Sequence, residues 1–165
     1  MEVLLASPLR PAQIIAGKVL PYLALAFVNV LTTLGVAWAA FDVPVRGSVA
    51  LLLAESVLYS LTALALGVLI STRTSSQRVA MTAALAGLML PTLMLSGFIF
   101  PLESMPPALQ LVANVVPAKW FVLVARGIML QGVGLAYLWQ ETLVLVGMTA
   151  LLLLAAVRGF RIRVA

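Results

Sequence analysis

The sequence predicts an all-α integral membrane protein with four transmembrane helices and an outer helical hairpin that is re-entrant or interfacial. Apolar residues make up 64% of the 165 residues and charged residues only 9%. A soluble domain of this length cannot cover that much apolar surface with polar groups. Lipid and neighbouring helices are therefore the expected surroundings of most side chains.

Four apolar windows reach the roughly 20 residues that an α-helix needs to cross the hydrocarbon core of a bilayer. The predicted spans are residues 19–40, 48–70, 79–100 and 135–157. Their only charged residues are Glu55 in the second and Glu141 near the outer end of the fourth. Each window is therefore long and apolar enough to be one membrane-spanning helix.

A fifth apolar stretch is divided by Pro117 and also contains Lys119 and Arg126. Its two halves are each too short to span, and a Lys or Arg at the centre of a spanning helix costs about 2.5–3.5 kcal/mol. Irregular backbone at membrane depth is tolerated only against protein or water. We therefore expect an outer hairpin over about residues 102–131.

The basic residues orient the chain. With four spans, one side collects most of them: Arg10, Lys18, Arg73, Arg78, Arg158, Arg161 and Arg163. Cytoplasmic loops carry an excess of Lys and Arg, so this side and both termini are expected in the cytoplasm. Tryptophan and phenylalanine side chains gather at the opposite ends of the spans, as an interfacial belt would.

Several classes of function are excluded by composition. The chain has no Cys and no His, which excludes disulfides and thiolate or imidazole metal sites. No GxxxxGK[ST] phosphate loop is present. The net charge of +5 comes from basic residues at the edges of apolar runs, so no nucleic-acid partner is expected. We predict no catalytic, cofactor or metal site in this chain and no enzymatic activity of its own.

Glu55 is predicted roughly two turns below the outer boundary of the second span. Acids at such depth face the bundle interior or a cavity and have a partner. Candidate partners are Lys119, Arg126 and the intramembrane Asn29. Two interpretations stay open, namely a structural ion pair and a residue on a substrate path.

Prolines mark two further features. Ser7, Pro8, Leu9, Arg10 and Pro11 precede Lys18, and this segment is either a cytoplasmic elbow that docks a partner or an ordinary interfacial lead-in. Pro91 lies inside the third span, where it removes one backbone hydrogen bond and is expected to kink the helix. The kink is either static or a moving hinge.

Three blocks of the sequence resemble the permease of the ABC-2 type transporters, the drug and polysaccharide exporter superfamily. They are LLASPLRPAQIIAGKVLPY at residues 4–22, LSGFIFPLESMPPALQLVANVVPAKWF at 95–121 and RGIMLQGVG at 126–134. The resemblance implies that residues 1–18 are a cytoplasmic coupling segment beside an ATPase. It also implies a chain that corresponds to the C-terminal part of a permease domain, without the first spans of the family.

The resemblance implies a transmembrane permease subunit of an ABC-type exporter in a cell membrane of prokaryotic, inner-membrane type. Substrate would move by alternating access, driven by a separate ATPase subunit that carries ATP and Mg, with a second permease copy or homologue completing a dimer. The outer hairpin would gate release, and its candidate residues are Gly97, Pro101, Glu103, Pro106 and Pro117. The alternatives are an ATP-independent carrier and a non-transporting membrane scaffold.

Overall fold

The computed structural model describes residues 11–74 and 76–159, and within them every regular element is helical. Four helical segments are long and apolar enough to cross a membrane. The elements, in order, are α1 Pro11–Phe41, α2 Val49–Arg73, α3 Gln77–Ala84, a π-helical turn Leu85–Met89, α4 Leu90–Leu95, a 3-10 turn Leu102–Ser104, α5 Pro107–Ala113, α6 Pro117–Arg126, a second π-helical turn Gly127–Gln131 and α7 Leu135–Gly159. The predicted fold class is confirmed.

The first helix is longer than the predicted span. It begins at Pro11, ahead of the predicted start at residue 19, and runs without a break through Pro21 to Phe41. At 1.5 Å per residue, its 31 residues extend about 46 Å, against about 30 Å of hydrocarbon. The described part of the predicted coupling segment is therefore the first part of the same helix.

Helices α2 and α7 form the centre of the bundle and run parallel to each other. Two hydrogen-bonded pairs show this direction, because Glu55 pairs with Thr142 and Thr62, seven residues later, pairs with Thr149. Helix α1 packs on α2, and α6 packs on both α2 and α7. The α2–α7 pair is thus the part of the described structure that contacts the other elements most broadly.

The third span consists of α3, the π-helical turn Leu85–Met89 and α4. Ser76 caps its beginning by accepting a hydrogen bond from the Val79 N–H, at 3.3 Å. Pro91 has no N–H for the preceding turn, and the π-helical turn lies directly before it. The span Gln77–Leu95 has none of its residues buried.

This span ends at Leu95, whereas the sequence predicted an end at residue 100. The Ser96 hydroxyl accepts a hydrogen bond from the Phe98 N–H, and Gly97 has a φ of 77°. A left-handed glycine with a local side-chain cap ends a helix irrespective of the apolar residues that follow. Apolarity alone therefore overestimated the length of this helix.

The predicted outer hairpin is present as two helices, α5 and α6, with an 86° bend between them. Helices α2 and α7 are parallel, and the third span between them in sequence crosses in the opposite direction. The hairpin therefore begins and ends on the same side of the bundle, which is the side where α4 ends. The hairpin is therefore a re-entrant or interfacial pair rather than a fifth span. Gly132, with a φ of 70°, ends the second π-helical turn.

Candidate functional site

The polar residues of the bundle lie along the contact between α2 and α7. Glu55 is 3% exposed, and its Oε1 accepts a hydrogen bond of 2.7 Å from the Thr142 hydroxyl. The Thr62 and Thr149 hydroxyls are hydrogen-bonded at 2.6 Å. A spacing of seven residues keeps both pairs on one seam of two parallel helices, and hydroxyl contacts of this kind hold transmembrane helices together.

The structure brings neither candidate cation to Glu55, so of the two open interpretations it does not support an ion pair with Lys119 or Arg126. Arg126 donates to the Gly97 carbonyl at 3.0 Å, and the Lys119 ammonium donates to the Asn114 side-chain oxygen. Asn29 is exposed on α1. The sequence did not point to Thr142 because the partner of Glu55 is set by the packing register of α2 on α7, which selects a hydroxyl that is 87 residues away.

Two carboxylate oxygens remain without a hydrogen-bond partner in the part of the chain that the structure describes. They are Oε2 of Glu55 and Oε2 of Glu141, and both atoms are buried. A buried acceptor without a protein donor is costly, so each such atom calls for an explanation. Glu55 therefore stays a candidate for the substrate path, with Thr142 rather than a cation beside it.

The hairpin is attached to the bundle at both of its faces. The Arg126 guanidinium, at the end of α6, holds the Gly97 carbonyl just beyond α4. On the side of α2, the rings of Tyr59 and Phe121 are stacked, with centroids 4.5 Å apart and planes 9° from parallel. Aromatic pairs in this geometry add roughly 0.5–1.5 kcal/mol beyond the burial of their area.

The turn of the hairpin is held by its own side chains. The Trp120 indole N–H donates to the Asn114 carbonyl at 2.9 Å, and the Lys119 ammonium lies 5.0 Å from the centre of the Trp120 ring. Together with the bond from Lys119 to the Asn114 side chain, these contacts fix the bend ahead of α6. The lysine is thus satisfied locally and does not reach the bundle interior.

The predicted gate residues fall into two groups. Gly97 is buried, and a Cβ there would lie 3.2 Å from the Leu102 side chain, so the tight chain reversal after α4 requires glycine. Pro101, Glu103 and Pro106 are exposed along the link to α5. Pro117 is half-buried at the beginning of α6. The structure brings Gly97 to Arg126 and leaves the middle of the link on the surface.

A loop between α1 and α2 closes the outer end of the bundle. The N–H groups of Arg46 and Gly47 donate to the Met129 and Ile128 carbonyls, at 3.1 and 2.9 Å. A Cβ on Gly47 would lie 2.7 Å from the Ile128 oxygen, so only glycine allows this approach. The loop, α2 and the end of the hairpin therefore form one packed unit.

Two open grooves, called the outer and the inner chamber, flank the stacked rings. The outer chamber, of about 580 Å³, lies between the third span, α2 and the hairpin, and its polar wall residues are Thr33, Tyr59, Thr92, Ser96 and Arg126. The inner chamber, of about 530 Å³, has an apolar wall in which Tyr59 and Thr92 are the polar side chains. Tyr59, Thr92, Leu93 and Ala118 line both chambers, so the two are neighbours with a common wall.

The predicted coupling residues are only partly within the described structure. Ser7, Pro8, Leu9 and Arg10 lie outside the described residues, whereas Pro11 begins α1 and Lys18 is exposed. Ile15 and Val19 are buried in a cluster with Ala156 of α7. Partly buried side chains of α2 complete this inner cluster: Leu61, Leu64, Val68 and Leu69. The start of α1 therefore has one face on the bundle and Lys18 on the other.

Comparison with known proteins identifies the family. The sequence model of the family described as ABC-2 family transporter protein matches residues 1–158. The chain belongs to this family. The three blocks that carried the resemblance lie inside the matched range, and the match favours a transporter subunit over an ATP-independent carrier or a scaffold.

Curated relatives agree with this assignment. The probable multidrug ABC transporter permease YbhS of Escherichia coli is 34% identical over 156 residues, which are 90% of this chain and 41% of the relative. The related YbhR is 33% identical over 164 residues, or 99% of this chain and 44% of that protein. ABC transporter G family member 20 of Dictyostelium discoideum is 33% identical over 95% of this chain and 22% of its own length. No solved structure matches the chain.

The chain thus spans less than half the length of these relatives. It is a multi-pass, all-helical membrane protein of an ABC transporter family. Its family is that of membrane subunits, which agrees with the expectation that ATP is hydrolysed elsewhere.

Proposed function

We propose that this chain is the membrane-spanning part of an ABC exporter permease that moves its substrate by alternating access, driven by a separate ATPase subunit. ATP and Mg would be bound by that partner. The membrane would be a bacterial inner membrane, with the arginine-rich ends of the spans in the cytoplasm. The names of the Escherichia coli relatives, probable multidrug ABC transporter permeases, support an export function.

The observation that carries this proposal is the connection of the α2–α7 pair to both ends of the bundle. At the inner end, Ile15 and Val19 of α1 pack against Ala156 of α7 and side chains of α2. At the outer end, Leu52 of α2 and Leu138 of α7 are buried with Val124 and Ile128 of the hairpin region. A movement of residues 11–19 therefore reaches the outer hairpin through two packed helices.

The hairpin is the candidate gate in this scheme. Its contact with the third span includes a single side-chain hydrogen bond, from Arg126 to Gly97, whereas its contacts with α2 and α7 include buried apolar side chains. If α2 and α7 shift together, the hairpin follows them and separates from the end of α4. The outer chamber, which lies between these elements, would open to the outside.

A second permease chain fits the third span. None of the residues in Gln77–Leu95 is buried, whereas α2 contains five buried residues: Leu52, Glu55, Ser56, Thr62 and Ala65. Transmembrane helices are held in place by packing against other helices, so a span without buried residues favours a partner on that face. We propose that a second copy or a homologous permease covers it.

The proposal is tested by co-purification with an ATPase subunit from the same genome. Residues 1–10 are deleted and Lys18 is changed by Lys18→Glu, which leaves the packing of Ile15 and Val19 in place. We expect the complex to be lost, because the predicted docking residues and the exposed cation are gone. The matched control is Arg46→Glu, an equal charge change at the outer end, which should leave the complex intact. A complex that survives the combined inner change contradicts the proposal.

A further inference from the structure

The charge distribution around the two chambers indicates a binding site for a particular class of molecule. Among the described residues, Arg126 is the charged residue in the wall of the outer chamber. The described wall of the inner chamber contains no charged residue. A molecule that fits both has one charged end, located at Arg126, and an apolar remainder.

The Arg126 side chain is exposed and lines the outer chamber, where it has one acceptor among the described residues. A guanidinium carries five N–H donors, and the acceptor that the described residues offer to Arg126 is the Gly97 carbonyl, at 3.0 Å. No carboxylate pairs with Arg126 within the part of the chain that the structure describes. The remaining donors form a flat fork that matches a carboxylate, sulfate or phosphate group.

The rest of the wall suits an apolar chain. Tyr59 and Phe121 present their stacked rings to the outer chamber, and Ala63, Leu66 and Leu88 line the inner one. Sites for small molecules have volumes of roughly 300–1,000 Å³ and mostly apolar walls with a few placed polar groups. Each chamber, at about 580 and 530 Å³, has the size of a site for a single small molecule.

We propose that the two chambers form one binding site for a single-chain amphiphile with an anionic head. The head is bound by Arg126 in the outer chamber, beside Ser96. The chain lies along Tyr59 and Ala118, which line both chambers, and ends in the inner chamber. This names the substrate class of the transporter and rests on the proposed function only for the statement that the bound molecule is exported.

Binding is measured directly on the purified full chain in phosphatidylcholine nanodiscs, with empty nanodiscs subtracted. The probe is fluorescent cis-parinaric acid, and the comparison compound is its methyl ester, which has the same chain without the charge. We expect the acid to bind about tenfold tighter than the ester, as a charge-assisted hydrogen bond predicts. Equal binding of acid and ester, or no binding of either, overturns the proposal.

Variants separate the head from the chain. Arg126→Gln removes the charge and should weaken the acid about tenfold without changing the ester, whose binding also reports that the variant is folded. Arg126→Lys should retain part of the preference, and Arg46→Gln should retain all of it. Ala63→Phe fills the inner chamber and should weaken acid and ester by the same factor. Full preference for the acid in Arg126→Gln, or unchanged binding in Ala63→Phe, overturns the placement.

Two competitors distinguish the sources of an anionic head. Inorganic phosphate should not displace the acid, and displacement would show a site for free anions rather than amphiphiles. Phosphatidylglycerol added to the nanodiscs should not compete, and competition would show a bilayer lipid as the occupant. The assay contains neither ATPase nor transport, so a failed co-purification leaves this result standing and a failed binding assay leaves the ATPase partnership standing.

Discussion

The α2–α7 pair and the third span are similar in length and apolarity but differ completely in packing. Mean hydropathy is 2.0 for Val49–Arg73 and 1.9 for Leu135–Arg158, against 1.6 for Gln77–Leu95. Yet the buried shares are 28%, 17% and 0%. Apolarity therefore predicts that each segment can enter a bilayer, and it does not predict which segments pack on one another.

The difference lies in the side chains at the contact. The α2–α7 seam contains Glu55, Thr62, Thr142 and Thr149, which make hydrogen bonds between the two helices. Within the described residues, no side chain of α3 or α4 makes a hydrogen bond to another span. Because lipid is as apolar as leucine, a helix contact in a membrane depends on close packing and polar contacts. The described part of the third span contacts α2, α5 and α6 without burying any of its residues, so most of its surface is left for a partner.

The largest expected effect is a difference in cross-linking between permease chains, which should form at a cysteine on the third span and not at a cysteine on α7. The sequence has no cysteine, so single-cysteine variants need no background removed. Leu85→Cys, 62% exposed on the third span, should form a disulfide-linked or bismaleimide-linked pair of permease chains in native membranes. The measurement is the shift in mass on a denaturing gel.

The matched control for that experiment is Leu145→Cys. Leu145 is fully buried on α7 and should not cross-link under the same conditions. If Leu85→Cys stays monomeric in membranes that contain the complete transporter, the third span is not the interface between permease chains.

The next largest effect concerns the loop that joins the packed unit. Gly47→Ala places a Cβ 2.7 Å from the Ile128 carbonyl, which is backbone and cannot move independently. We expect a loss of about 3 kcal/mol in unfolding free energy, the upper part of the usual cost of overpacking. Reversible unfolding in mixed micelles measures it. Gly67→Ala, with no atom within 4 Å of the new Cβ, should show no loss, and equal losses would contradict the close approach.

A third prediction compares a leucine-to-alanine substitution on α7 with the same substitution on the third span. Leu145→Ala should lower the free energy of unfolding by about 2 kcal/mol, the lower end of the range for buried leucines. In a bilayer the leucine side chain has apolar surroundings in the folded and in the unfolded state, so the substitution removes packing contacts but no transfer free energy. Leu85→Ala should cost almost nothing in the isolated chain. In the assembled transporter, the second variant should also become destabilising. An equal cost in the isolated chain would show that the third span is packed after all.

Much of the topology follows from the sequence alone. The four spans and the outer hairpin were predictable because a helix of fixed rise needs about 20 apolar residues, and the fifth stretch is divided by Pro117 and carries charges. The parallel direction of α2 and α7 agrees with that layout, since a fifth span would make the two helices antiparallel. The ends of the spans were less predictable, because α1 begins at Pro11, ahead of Lys18, and Gly97 ends the third span early.

The site was only partly predictable. Glu55 was identified correctly as buried, since an acid at that depth is costly unless it is enclosed. Its partner was not, because the choice of Thr142 over Arg126 depends on the rotation of α7 against α2, which local patterns do not encode. The chambers depend on the third span standing apart from α2, and that separation follows from no single motif in the sequence.

The smallest expected effect measures the seam itself. Thr62→Val and Thr149→Val each remove one hydroxyl of the 2.6 Å pair while keeping the branched shape of the side chain. Hydrogen bonds between transmembrane helices contribute about 0.6 kcal/mol on average. The double-mutant cycle should therefore give a coupling of about that size. Thr62→Val combined with Thr32→Val, whose exposed hydroxyl bonds its own helix, should give none. A vanishing coupling between Thr62 and Thr149 would leave the α2–α7 contact to apolar packing, and the contrast with the third span would then rest on shape alone.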